Sequence, residues 1–214
     1  MRAEVTRWEG HVDPRPARPG LLADCLQKCA QYTGDRRFGL QEGGTAVHIV
    51  FVCTGNTCRS PMAAHLLQHA ARQRGLDWVI ESAGLYAMAG SPMTEQAAQV
   101  LRRRGVADTA HRAQAVNAEL VARADLILAM TSQHAAELKH RFPEASQKIH
   151  ELAKFAGNPS ADVADPFGGD EAAYDRCAQE IERHLKALLE KLAPDRKPVS
   201  ADSEETGHED CDCQ

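Results

Sequence analysis

The chain is expected to fold as an α/β protein, a doubly wound parallel sheet flanked by helices. Three observations point there. Val47–Val52 and Ala124–Met130 are short apolar runs, each with a single polar residue near its start (His48 and Asp125), the pattern of strands buried on both faces. Stretches with apolar residues at helical spacing separate and follow them. Between the first strand and the first helix stands a polar, glycine-containing loop, Cys53 to Ser60.

Taken in order, a strand over 47–52 leads through that loop into a helix near 61–74, with Pro61 in its first turn, where a missing N–H costs little. A strand near 78–82 follows, then a loop from Gly84 to Pro92 and a helix over 93–104. A short helix at 118–123 precedes the strand at 124–130. A helix over 132–141 and a short strand at 148–152 come next. The helix at 170–192 closes the core, with Ala173, Cys177, Ile181, Leu185, Leu188 and Leu192 on one face. In such a sheet ligands bind at the carboxyl ends of the strands. Leu85, Tyr86 and Met88 are therefore expected at the site entrance, with ordinary loop packing as the competing reading.

The segment VCTGNTCRSP, Val52 to Pro61, holds most of the chemistry. Five residues, Thr54, Gly55, Asn56, Thr57 and Cys58, separate Cys53 from Arg59, and Ser60 follows. A thiol at a strand end, a tight loop and a helix start make an anion cradle, a phosphate-binding loop whose N–H groups converge on one point. Arg59 adds a planar fork for two phosphoryl oxygens. A helix N-terminus beside an arginine favours a thiolate nucleophile. Ser60 is placed to donate to that sulfur. Gly55 is expected to supply positive φ, which Asn56 also tolerates.

Asp165-Pro166-Phe167-Gly168-Gly169 lies in a turn-rich stretch after Asn158-Pro159-Ser160. Attack of a thiolate on phosphorus needs an acid for the leaving group and then a base for water. Asp165, on a loop stiffened by Pro166, fits both tasks.

At these residues the chain resembles a known family. Val52–Pro61, Ser82-Ala83-Gly84, Ala124–Met130 and Asp165–Gly169 are similar to the motifs of the low-molecular-weight protein tyrosine phosphatases, over about 47–192. The resemblance implies Cys53 as nucleophile, Arg59 as phosphate clamp and Asp165 as general acid. Asn56 and Ser60 would hold the loop shape, and His111 would support it. Within the family, Thr57 before Cys58 and Phe167 after Asp165-Pro166 resemble the bacterial protein-arginine phosphatases. That implies hydrolysis of phosphoarginine in proteins through a phosphocysteine, with Phe167 as an apolar wall. A tyrosine phosphatase of the same mechanism is the main alternative. Two readings rank lower: an arsenate reductase, which needs further relay cysteines, and a binding module without turnover. No cysteine lies between Arg59 and Arg176 to act as such a relay.

Composition sets wider bounds. The chain has 214 residues, 26% charged and 5% aromatic, and a net charge of −5. No apolar run approaches spanning length and no export signal follows Met1, so a cytoplasmic protein without membrane contact is expected. Residues 194–214 hold Asp195, Asp202, Glu204, Glu205, Glu209, Asp210 and Asp212 against Arg196 and Lys197, which is the whole excess. The remainder is balanced, so no nucleic-acid footprint appears. The tail is read as disordered, and His208, Cys211 and Cys213 as part of it rather than as a metal site. Residues 1–46 form an extension of unknown role, with prolines at 14, 16 and 19 and an amphipathic stretch over 20–33. The core domain is placed at 47–193.

The seven cysteines form no disulfide framework in a reducing compartment. Cys58 is placed to capture an oxidised Cys53 as a reversible disulfide, with loop packing as the competing reading. No metal or cofactor is required, a phosphorylated protein is the expected partner, and the oligomeric state is left open.

Overall fold

The computed structural model describes residues 47–158 and 162–194. The extension at 1–46, the Pro159-Ser160 turn and the acidic tail from Asp195 lie outside the described residues. Four parallel strands, β1 (His48–Cys53), β2 (Val79–Gly84), β3 (Leu126–Ala129) and β4 (Ile149–Glu151), form a sheet in the order β2-β1-β3-β4. The expected parallel α/β architecture is therefore present. β1 pairs with β2 on one side and β3 on the other, and every one of its residues is buried. The chain leaves β1 toward β2 and returns across it to β3. That reversal opens a crevice at the carboxyl end of β1, which Cys53 occupies.

The helices are α1 (Arg59–Gln73), α2 (Glu95–Arg103), α3 (Ala118–Arg123), α4 (Ser132–Arg141), α5 (Leu152–Phe155) and α6 (Glu171–Leu192). A 3-10 turn at Pro143–Lys148 and the single-turn α5 were not expected. Pro143 at the first position of that turn and the apolar Leu152 and Phe155 had only packing to reveal them. On α6 the buried stripe comprises Tyr174, Cys177, Ile181, Leu185, Leu188 and Leu192, so Tyr174 takes the place foreseen for Ala173. No helix among the described residues is long and apolar enough to cross a membrane.

Candidate active site

The N-terminus of α1 differs from those of its neighbours. Thr94, Asn117, Thr131 and Asp170 cap α2, α3, α4 and α6 with their side chains. At α1 the capping position is Cys58; no side-chain hydrogen bond closes that end, and no acid stands in its first turn. Its first-turn N–H groups are thus left to face the loop before it. The helix starts at Arg59, two residues earlier than the sequence reading, so Arg59 and Ser60 are helical and fixed in direction.

Asn56 builds the loop. It is fully buried and has φ of 56°, the positive-φ position among the described non-glycine residues. The expectation for Gly55 is corrected here: its φ is not positive, and Asn56 takes the left-handed turn instead. A short polar side chain that bonds locally lowers the cost of that conformation. The Asn56 amide donates to Ser60 Oγ at 2.9 Å and Ser82 Oγ at 2.8 Å, and its Oδ1 accepts from Gln114 N at 2.9 Å. The Asn56 carbonyl meets His111 Nε2 at 2.7 Å. Burial lowers the His111 pKa, which favours a neutral ring beside that carbonyl.

The Cys53 sulfur sits inside this frame. It is 3% exposed, lies 3.0 Å from Ser60 Oγ and accepts from Asn56 N at 3.3 Å. Ser60 Oγ also lies 3.2 Å from the Ala83 carbonyl. Its single proton thus has two acceptors within reach, the sulfur and that carbonyl. Gly84 lets the next strand come this close. A Cβ there would stand 2.7 Å from Thr54 O and 2.9 Å from Asn56 N.

Arg59, 5% exposed, donates from Nη1 to Val163 O at 3.3 Å and from Nη2 to Thr54 Oγ1 at 3.5 Å and Asp165 Oδ2 at 2.5 Å. Asp165 arrives on a loop pinned by Val163 N to Met130 O at 2.9 Å, and its Oδ1 accepts from Phe167 N at 3.2 Å. Thr57 is half-buried, its carbonyl accepts from Thr94 N at 3.0 Å, and its Oγ1 lies 3.7 Å from Cys58 Sγ. Cys58 points away from the loop interior. Its sulfur lies 3.4 Å from Tyr174 Oη and 3.6 Å from Thr94 Oγ1. Burial pushes the Tyr174 hydroxyl up to about 12, so it stays protonated.

The structure thus brings together Cys53, Thr54, Gly55, Asn56, Thr57, Cys58, Arg59, Ser60, His111 and Asp165. Tyr86, whose N–H donates to Thr54 O, and Phe167, whose N–H donates to Asp165, are 66% and 72% exposed, and Met88 is exposed as well. Leu85 does not line the entrance. It is 7% exposed and packs in the apolar core with Val121, Ala135 and Leu138. Ser82, Gln114 and His134 also serve the loop, and the last two stand in no motif of the sequence reading. Gln114 comes from an extended segment bridged to Gly84 at Ala115, a pairing no local pattern announces. No group of described residues has the composition of a metal site.

The low-molecular-weight phosphotyrosine protein phosphatase profile matches residues 48–198. The chain belongs to that family. This low-molecular-weight phosphatase is 42% identical over 144 residues to the protein-arginine-phosphatase of Geobacillus stearothermophilus, covering 67% of the chain and 95% of the relative. It is 39% identical over 148 residues to low-molecular-weight protein-tyrosine phosphatase A of Mycobacterium tuberculosis, covering 66% of the chain and 89% of the relative. Among solved structures, the phosphatase resembles a YwlE arginine phosphatase whose active-site cysteine is replaced by a phosphorylated serine. The TM-score is 0.67 at 36% identity, covering 70% of this chain and 98% of that one. The phosphatase is accordingly a hydrolase acting on phosphorylated protein.

Proposed function

We propose that this phosphatase hydrolyses phosphoarginine in proteins, with Cys53 as nucleophile, Arg59 as clamp and Asp165 as acid and base. The observation that carries the reading is the Asp165 carboxylate. Its side chain is 49% exposed at the mouth of the cradle and engages a guanidinium, that of Arg59, at 2.5 Å. Phosphoarginine brings a guanidine of its own to that carboxylate, and a phosphoryl group to which the Arg59 fork can turn. Thr57, with its stiff hydroxyl-bearing side chain beside Cys58, supports the same choice. So does the name carried by the 42% identical relative.

The chemistry has two steps. The Cys53 sulfur forms a bond to phosphorus as the P–N bond breaks, and Asp165 donates its proton to the leaving nitrogen, so arginine departs as guanidinium. The equatorial oxygens rest on the loop N–H groups and Arg59. Ser60 Oγ, 3.0 Å from the sulfur, stabilises it as thiolate before attack and as leaving group afterwards. Asp165, now a carboxylate, takes a proton from water as its oxygen bonds to phosphorus. The S–P bond breaks, releasing phosphate and restoring the thiolate. The Asn56 side chain, His111 and Ser82 hold the loop, while the Asn56 main-chain N–H reaches the Cys53 sulfur itself.

A tyrosine substrate is the second reading. Exposed Tyr86 and Phe167 offer flat walls to a phenyl ring. The reductase reading loses support at Cys177. Burial pushes that thiol up to about 12, and it donates to Ala164 O at 3.5 Å rather than standing free as a relay.

The test is the ratio of kcat/KM on phosphoarginine and phosphotyrosine peptides of one sequence, with Cys53→Ser as blank. A ratio well above one is expected. A ratio below one assigns the enzyme to phosphotyrosine, and turnover of neither returns the reductase or binding-module reading.

A further inference from the structure

The first turn of α4 holds both halves of the site, and none of its residues belongs to the cradle. Asp162, at the start of the acid loop, accepts from Ser132 N at 2.7 Å and lies 3.1 Å from Ser132 Oγ. Two residues on, His134 is 7% exposed and reaches the other half: its Nε2 lies 2.9 Å from Thr54 Oγ1. Its Nδ1 lies 2.8 Å from Oγ1 of the capping Thr131, which also accepts from His134 N at 3.2 Å.

We infer that His134 is a positioning residue: as a neutral imidazole it takes the Thr54 hydroxyl proton and so turns a Thr54 lone pair toward Arg59.

One hydrogen-bond arrangement of these groups directs Thr54 toward Arg59. Arg59 is a donor at every nitrogen, so Thr54 Oγ1 must accept from Nη2. In this arrangement the single Thr54 proton goes to His134 Nε2, the bare nitrogen of the ring. Nδ1 accordingly carries the proton and donates to Thr131 Oγ1. Thr131, already the helix cap, then accepts from both Nδ1 and the main-chain N–H of His134. The groups that face the ring agree with this state. Burial acts first and the Arg59 charge second, both lowering the His134 pKa against weaker raising by Asp165 and Asp162.

The consequence lies at Arg59. Its guanidinium is held edge-on between Val163 O and Thr54 Oγ1. When the fork turns from Asp165 to phosphoryl oxygens, those two acceptors are what remain to keep it in plane. A protonated or missing His134 removes the direction from Thr54. Its hydroxyl hydrogen then turns toward the cradle, and Arg59 loses one of its two fixed partners.

The inference rests on Arg59 being the phosphate clamp, but not on which phosphorylated residue is the substrate. The test uses the full chain, with inorganic phosphate as competitive ligand and p-nitrophenyl phosphate as substrate. His134→Ala is expected to raise the phosphate inhibition constant about tenfold, the scale of one hydrogen bond serving a charged group. His134→Gln, whose Oε1 can stand where Nε2 stands, is expected to recover most of that loss. In a Thr54→Val background His134→Ala is expected to add little, because the pair acts as one unit. Equal losses in the Ala and Gln variants would overturn the inference, as would losses that add in the double variant or unchanged phosphate affinity in His134→Ala. An enzyme that prefers phosphotyrosine would change the substrate reading and leave these expectations in place. A wild-type chain that neither binds phosphate nor cleaves the aryl ester would remove the clamp assignment itself.

Discussion

Arg59 and Asp165, 106 residues apart in sequence, meet through Nη2 and Oδ2 at 2.5 Å. The clamp and the acid of the proposed mechanism are therefore one electrostatic unit. Asp165 is pointed at the cradle by the arginine that lies within it, and a phosphoryl group must enter between them.

The first prediction follows from that pairing. Asp165→Asn keeps the shape and a partner for Arg59 but cannot exchange a proton. Its kcat is expected to fall about 10²- to 10⁴-fold, the usual range for lost acid–base catalysis, with KM changed far less. Rapid-mixing kinetics on an aryl phosphate would show a slow second step as well as a slow first one. An undiminished kcat would remove Asp165 from the proton-transfer role.

A second concerns Gly84. An added methyl would stand 2.7 Å from Thr54 O and 2.9 Å from Asn56 N, both main-chain atoms of the cradle. Since backbone cannot swing aside as a flexible side chain does, the loop must shift. Gly84→Ala is expected to lower kcat/KM by about 10²-fold through misplacement. Circular dichroism should still report a folded chain. Wild-type activity in this variant would mean that the loop tolerates more displacement than its packing implies.

Acid sensitivity gives a third. Burial against Phe155 first, and the charges of Lys139 and Lys191 after it, drive the His150 pKa from 6.5 down to about 4. The neutral ring is the form the fold accepts, while the unfolded chain takes a proton near 6.5. The contribution is therefore complete above pH 6.5 and is lost as pH falls toward 4, on the order of 2–3 kcal/mol over that window. Urea unfolding at pH 7 and pH 5 should show the drop, and His150→Gln should flatten it. His65, His111, His134 and His184 are lowered in the same direction, so part of the slope will remain.

Oxidation gives the fourth. Peroxide converts the Cys53 thiolate to a sulfenic acid, and the Cys58 thiol can displace water from it to form a disulfide. For this Cys58 must leave Tyr174 Oη, now 3.4 Å from its sulfur. Inactivation by peroxide with recovery on adding a dithiol is expected. A Cys58→Ser variant that recovers equally well would show that Cys58 serves packing and nothing more.

The order of strands and helices was legible because each element carries its own period. β1, β3 and α6 are apolar at the spacings that burial on two faces or on one stripe requires. The cradle was legible because its chemistry is local: a thiol, a turn and an arginine within one short segment need no distant residue to be recognised. Which residue makes the turn was not. Gly55 and Asn56 both tolerate positive φ, and the choice fell to Asn56 because Ser60, Ser82 and Gln114 satisfy its side chain there. Leu85 likewise reads as a loop residue until the core cluster takes it in. His134, His111 and the Arg59–Asp165 pair were decided by tertiary structure, since hydrogen bonds between segments 55 to 106 residues apart leave no periodic trace in the chain. Sequence determined what the site is made of; the parallel sheet, by bringing the ends of β1, β2 and β3 to one edge, decided which of those groups touch.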